Sequence, residues 1–134
     1  MKLLSLIIPV YCNEKSVKQA YMQFREQVLP HFPKLAHEVI FVNDGSPDDS
    51  LQQLLKLREA FPEETTVISF SRNFGQVAAI RAGYEQSAGN IVLNISAALQ
   101  EPPELFRSMI EENLQNGTPI VAGQRTSRDE SGFR

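Results

Sequence analysis

The residues with usable chemistry gather in four short polar stretches, 9–14, 43–47, 71–75 and 96–101, each following an apolar run. They hold the carboxylates of Glu14, Asp44 and Glu101, the Arg72 guanidinium, the Ser96 hydroxyl and the Gln100 amide. In an open α/β sheet such stretches leave the carboxyl ends of strands, where ligands bind near the reversal in strand order. The first stretch reads Pro9-Val10-Tyr11-Cys12-Asn13-Glu14, without the glycine fingerprint of a dinucleotide-binding domain. No P-loop pattern occurs either. A phosphoacceptor receiver would carry its acidic cluster after the first strand, whereas Asp44 follows the second. Taken singly, Tyr11 reads as a partly buried packing residue, Asp44 as a turn former beside Gly45, and Arg72 as a solvated loop arginine. His31 and His37 share neither a helix face nor a metal-ligand spacing, so surface histidines are expected. Cys12 has no local partner and reads as an inert loop thiol. The pairs Glu63-Glu64 and Glu111-Glu112 read as solvated faces.

The elements that must position these stretches alternate between pleated and helical patterns. Residues 3–10, 38–42, 65–70 and 91–95 are apolar runs with the length and composition of buried strands. Val17, Ala20, Tyr21, Phe24 and Val28 recur at helical spacing, closed by Pro30 and Pro33. A second helix is expected to begin at residues 46–49, with Ser46 as cap and Pro47 in the first turn, burying Leu51, Leu54, Leu55 and Phe61. Residues 76–88 form a third helix, whose small residues Ala78, Ala79, Ala82 and Gly83 allow close approach to the sheet. Pro102 and Pro103 open a fourth, with Leu105, Phe106, Met109, Ile110 and Leu114 inward and Asn116-Gly117 at its end. A fifth strand is expected at 119–122, followed by a polar tail, 123–134. Repeated strand–helix–strand units imply a mostly parallel sheet with helices on both faces.

A length of 134 residues suits one domain. The net charge of −3 provides no basic field for nucleic acid. No apolar run approaches the roughly 20 residues that cross a bilayer. The single cysteine excludes an internal disulfide and agrees with a reducing cytoplasm, where the protein is expected. Exposed sheet edges make a homo-oligomer plausible.

Five segments carry a resemblance: Ile8-Pro9-Val10-Tyr11-Cys12-Asn13-Glu14, Val42-Asn43-Asp44-Gly45-Ser46-Pro47-Asp48, Ser71-Arg72-Asn73-Phe74-Gly75, Leu99-Gln100-Glu101-Pro102-Pro103-Glu104 and Gly123-Gln124-Arg125-Thr126-Ser127-Arg128. In order and spacing they resemble the nucleotide-binding half of family 2 glycosyltransferases, closest to polyprenyl-phosphate and dolichyl-phosphate sugar synthases. The resemblance implies a GT-A type α/β sheet with core order 3-2-1-4. It places Pro9, Tyr11 and Glu14 around base and ribose, and Asp44 as the acceptor of a hydrogen bond from the base. Arg72 approaches the nucleotide, and Arg125 and Arg128 lie near phosphate. The implied partner is a UDP- or GDP-type nucleotide sugar, with a lipid-linked acceptor if the chain continues past Arg134. Such a continuation would bring the protein to the membrane periphery.

At residues 96–104 relatives have Asp-Ala-Asp-Leu-Gln-Asp-Pro-Pro-Glu, whose Asp-x-Asp pair holds Mg or Mn against the diphosphate. Ser96 and Ala98 stand at the two Asp positions here, with Gln100 retained. A hard divalent cation wants several oxygens with carboxylate charge among them, so a degraded metal site and impaired transfer are expected. The parent activity that the resemblance implies is inverting sugar transfer from a nucleotide sugar, with a polyprenyl phosphate as a candidate acceptor. The alternative is a non-catalytic nucleotide-sugar-binding or assembly module; a third reading has Arg72, Arg125 or Arg128 replace the cation. No catalytic base is identifiable, and the chain is expected to stop before an acceptor-binding part.

Overall fold

Four parallel strands form one sheet in the order β3-β2-β1-β4. The computed structural model describes residues 2–117. The elements run β1 (Leu3–Val10), α1 (Val17–Gln27), β2 (Ala36–Asn43), α2 (Ser50–Ala60), β3 (Thr65–Ser69), α3 (Gln76–Gln86), β4 (Ile91–Asn94) and α4 (Pro103–Asn116). The expected class and the 3-2-1-4 order both hold. The expected strand at 119–122, the polar tail and its Arg125 and Arg128 lie outside the described residues.

The apolar continuity of β1 follows from its central place, since a strand covered on both faces cannot alternate with polar residues. Leu4, Leu6, Ile8 and Val10 pack with Val39, Phe41 and Leu93 beneath α1, α2 and α4. On the opposite face, Ile40 and Val42 meet Ala79 of α3. Gly83 lets α3 approach: a Cβ there would stand 2.6 Å from Ile7 Cγ2. The one polar residue of the β1 core, Ser5, donates to Glu38 at 2.5 Å and accepts the Gly89 N–H at 2.8 Å.

Two helices differ from expectation. α2 starts at Ser50 rather than near Ser46. Ser46, the expected cap, instead accepts the Cys12 amide, and Asp48 accepts the amides of Glu14 and Ser50. Its buried face is Ser50, Leu54 and Leu57, leaving Leu55 exposed. In α4, Phe106 and Ile110 are buried but Leu105 and Leu114 are exposed.

At the amino end of the sheet the structure corrects two further expectations. His37 is no surface histidine: its Nε2 lies 2.9 Å from the Tyr21 hydroxyl, and its side chain is largely covered. Glu64 is no solvated carboxylate: it pairs with Arg25, and the Tyr21 hydroxyl lies 3.3 Å from it. The Tyr21 ring packs edge-on against Phe41 and Phe61. Burial pushes the Tyr21 phenol up to about 12. Burial also lowers the His37 imidazole below its ordinary value, outweighing the pull of the Glu64 carboxylate.

Both shifts favour the neutral side chain in the fold, so stability should be lost at both pH extremes. For His37, with its folded pKa depressed, stability is present above about 6.5 and falls as pH drops through the lower folded value. For Tyr21, with its folded pKa raised, stability is present below about 10 and is lost as pH rises toward 12. Urea unfolding across pH 5–12 checks both arms, and Tyr21→Phe should remove the alkaline arm alone.

Candidate functional site

The loops after β1 and β4 part company where the strand order reverses, leaving a crevice at the carboxyl ends of the strands. A cleft of about 210 Å³ lies there. Pro9, Val10, Tyr11 and Asn13 contribute from the first loop and Asp44 from the second. Gln76 enters at the start of α3, and Ser96, Ala97, Ala98 and Gln100 come from the fourth loop.

The first loop turns sharply at Cys12, whose φ of 57° is left-handed. The Asn13 side chain accepts the Tyr11 N–H at 2.9 Å, and its carbonyl accepts the amides of Ser16 and Val17 that start α1. This turn leaves Tyr11 47% exposed at the cleft wall, an available aromatic face and not a packing residue.

The second and third loops are locked together through Asp44, which is only 4% exposed. Its Oδ1 accepts the Phe74 N–H at 2.7 Å; its Oδ2 accepts the Gly75 N–H at 3.0 Å and the Asn73 amide at 3.1 Å. The Asp44 N–H in turn donates to the Val10 carbonyl at 2.8 Å. A carboxylate offers about four acceptor directions, so roughly one is left after these three bonds. Gly45 is required here: its φ is 68°, and a Cβ would stand 2.2 Å from the Arg72 carbonyl carbon. Asn43 donates to Ser69 Oγ at 3.1 Å and accepts the Ser46 N–H at 3.2 Å, tying β2 to β3 and to its own turn.

The fourth loop folds on itself. Ser96 Oγ accepts the Ala98 N–H at 2.9 Å, Glu101 accepts the Ser96 N–H at 3.3 Å, and Leu99 has a left-handed φ of 60°. Ser16, at the start of α1, donates to the Ala97 carbonyl at 2.7 Å and so fixes this loop to the first.

Six of the expected site residues therefore come together: Pro9, Tyr11, Asp44, Ser96, Ala98 and Gln100. Glu14 does not line the cleft; its carboxylate accepts the Asp49 N–H at 2.8 Å. Arg72 does not line it either, its guanidinium lying 4.3 Å from the centre of the exposed Phe74 ring. Asn13 and Gln76 were not singled out from sequence, although each adjoins a residue or turn that was. For a divalent cation, the cleft side of the fourth loop offers one hydroxyl and one amide, and Ala98 offers nothing. Among the described residues no group of three or more His, Cys, Asp or Glu side chains converges. Ser96 and Gln100 are neutral oxygen donors, and among the described lining residues Asp44 carries the one carboxylate.

Comparison with known proteins agrees with this architecture. The sequence model of "Glycosyl transferase family 2" matches residues 5–134. A Bacillus subtilis protein described as an uncharacterized glycosyltransferase, YkcC, is 37% identical over 129 residues, covering 96% of this chain and 39% of that protein. The undecaprenyl-phosphate 4-deoxy-4-formamido-L-arabinose transferase of Pseudomonas aeruginosa is 36% identical over 132 residues, covering 98% of this chain and 38% of that one. The chain thus spans about two fifths of the length of these curated relatives. A Pyrobaculum calidifontis mannosyltransferase, solved with GDP-Man and Mn²⁺, superposes with a TM-score of 0.69 over 84% of this chain and 32% of its own, at 20% identity. That likeness concerns the fold.

Replacing Asp44 by Ala should remove the acceptor of the Phe74 and Gly75 amides and of the Asn73 side chain. Urea denaturation should register a loss of about 2–4 kcal/mol, with faster amide exchange at residues 73–75.

Proposed function

The chain belongs to glycosyl transferase family 2, and we propose that it is the nucleotide-sugar-binding half of an inverting transferase whose acceptor is a polyprenyl phosphate. The observation that carries this reading is the cleft at the strand-order reversal, which Tyr11 and Asp44 both line. An aromatic face beside a fixed carboxylate suits a nucleobase, which stacks and donates an N–H. The polyprenyl-phosphate acceptor rests on the name of the Pseudomonas relative. The nucleotide is of the UDP or GDP type. Pro9 packs at the base, and Gln76, Ser96 and Gln100 offer neutral hydrogen bonds from the cleft lining.

In this reading the chain binds better than it catalyses. Stabilising a nucleoside diphosphate leaving group is worth several kcal/mol, and the fourth loop has no carboxylate at Ser96 or Ala98 with which to recruit a cation for that purpose. The same two residues favour a second reading, a non-catalytic module that binds nucleotide sugars or supports a partner enzyme.

Calorimetry with UDP, GDP and their sugars, with and without Mn²⁺ or Mg²⁺, tests the proposal. Binding is expected, with little dependence on metal, and the paired change Ser96→Asp with Ala98→Asp should raise metal-assisted affinity by about tenfold or more. Failure to bind any nucleotide would remove the cleft reading. Robust Mn²⁺-dependent sugar transfer by the unaltered polypeptide would contradict the impaired step.

A further inference from the structure

We propose that Glu14 and Asp48 are positioning residues, a reciprocal carboxylate-to-amide clamp that holds Tyr11 and Asn13 in their places on the cleft wall. The inference rests on the nucleotide reading of that cleft. It also reassigns Glu14, which the family pattern places around base and ribose.

Past Val10 the first loop leaves the sheet, and the amides of residues 12, 13 and 14 lose their ladder partners. All three donate to side chains at the approach to α2. The Cys12 N–H reaches Ser46 Oγ at 3.0 Å, the Asn13 N–H reaches Ser50 Oγ at 2.9 Å, and the Glu14 N–H reaches Asp48 Oδ2 at 3.4 Å. Glu14 closes the circuit by accepting the Asp49 N–H at 2.8 Å. Asp48 also accepts the Ser50 N–H at 3.0 Å through its other oxygen, so one side chain serves both loops. Ser50 is fully buried, which makes its contact with Asn13 a fixed point.

The geometry explains why two acids tolerate each other. Each carboxylate accepts an amide from the other's loop, and both lie at the amino end of α2, where the helix field favours negative charge. The small burial of Asp48 works against its charged form, yet the bonds from Ser50 and Glu14 outweigh it and hold the carboxyl below its ordinary value. What the clamp fixes is a left-handed turn at Cys12, a backbone state that a non-glycine residue seldom adopts without outside support. Releasing that turn would swing Tyr11, the residue just before it, and break the Tyr11 N–H bond to Asn13.

The test uses Glu14→Ala, Glu14→Gln, Asp48→Ala and the Glu14→Ala/Asp48→Ala double variant. Three readouts apply: UDP and GDP affinity by calorimetry, amide exchange at residues 12–14 and 49, and melting temperature. Each alanine variant should weaken nucleotide binding by about tenfold and speed exchange at these amides. The double variant should be no weaker than either single one, because both remove the same clamp. Glu14→Gln, which keeps an acceptor oxygen, should restore most of the affinity. Three results would overturn the proposal: exchange unchanged in the alanine variants, additive losses in the double variant, or a lower melting temperature with affinity intact. If the unaltered chain binds neither nucleotide, the functional reading fails and the clamp's role in it goes too. Exchange at residues 12–14 would then still show whether the clamp exists.

Discussion

A carboxylate with 4% exposure must find donors for its lone pairs, and Asp44 finds them in the loop that follows β3. Two backbone amides and one side-chain amide converge on it, while its own N–H returns to Val10 at the end of β1. Three strand ends are thereby held in one geometry. Because a buried charge is costly unless it is fully hydrogen-bonded, the loop carrying Asn73, Phe74 and Gly75 has little freedom to adopt another path. Gly45 is the condition for this: only a residue without a Cβ lets the second loop pass against the Arg72 backbone.

The sheet divides its polar residues between two ends. At the carboxyl end Asp44, Asn13 and Ser96 line a cleft while bonding the backbone of the loops that form it. At the amino end Tyr21, Arg25, His37 and Glu64 satisfy one another under an aromatic lid, and titration there should change stability rather than binding. The distinction is physical. The amino-end cluster is closed by Phe41 and Phe61, whereas the cleft is walled by an exposed tyrosine and by the loop of Ser96, Ala97, Ala98 and Gln100.

Much of this was legible in the sequence because it is written locally. Strand runs such as residues 3–10 and small residues such as Ala79 and Gly83 indicate which segments are buried on both sides and which helix approaches closely. The four polar stretches were legible for the same reason. What escaped was set by contacts between distant positions. Ser46, Pro47 and Asp48 look like a helix start, yet the first loop recruits Ser46 and Asp48 and α2 begins later. Glu14 looked like a ligand contact and is turned to Asp49. His37 and Glu64 seemed unremarkable because their partners Tyr21 and Arg25 lie on a different element. No local pattern announces such pairings.

The central claim is that the chain keeps a nucleotide-shaped cleft at the carboxyl ends of β1, β2 and β4 without a carboxylate pair for metal. Amide chemical-shift mapping with UDP and GDP in the presence of a chelator tests it most directly. Shifts should concentrate at Tyr11, Asn13, Asp44, Ala97 and Ala98, leaving the amides of Tyr21, His37 and Glu64 unmoved. Shifts centred on the amino-end cluster, or none at saturating nucleotide, would contradict the account.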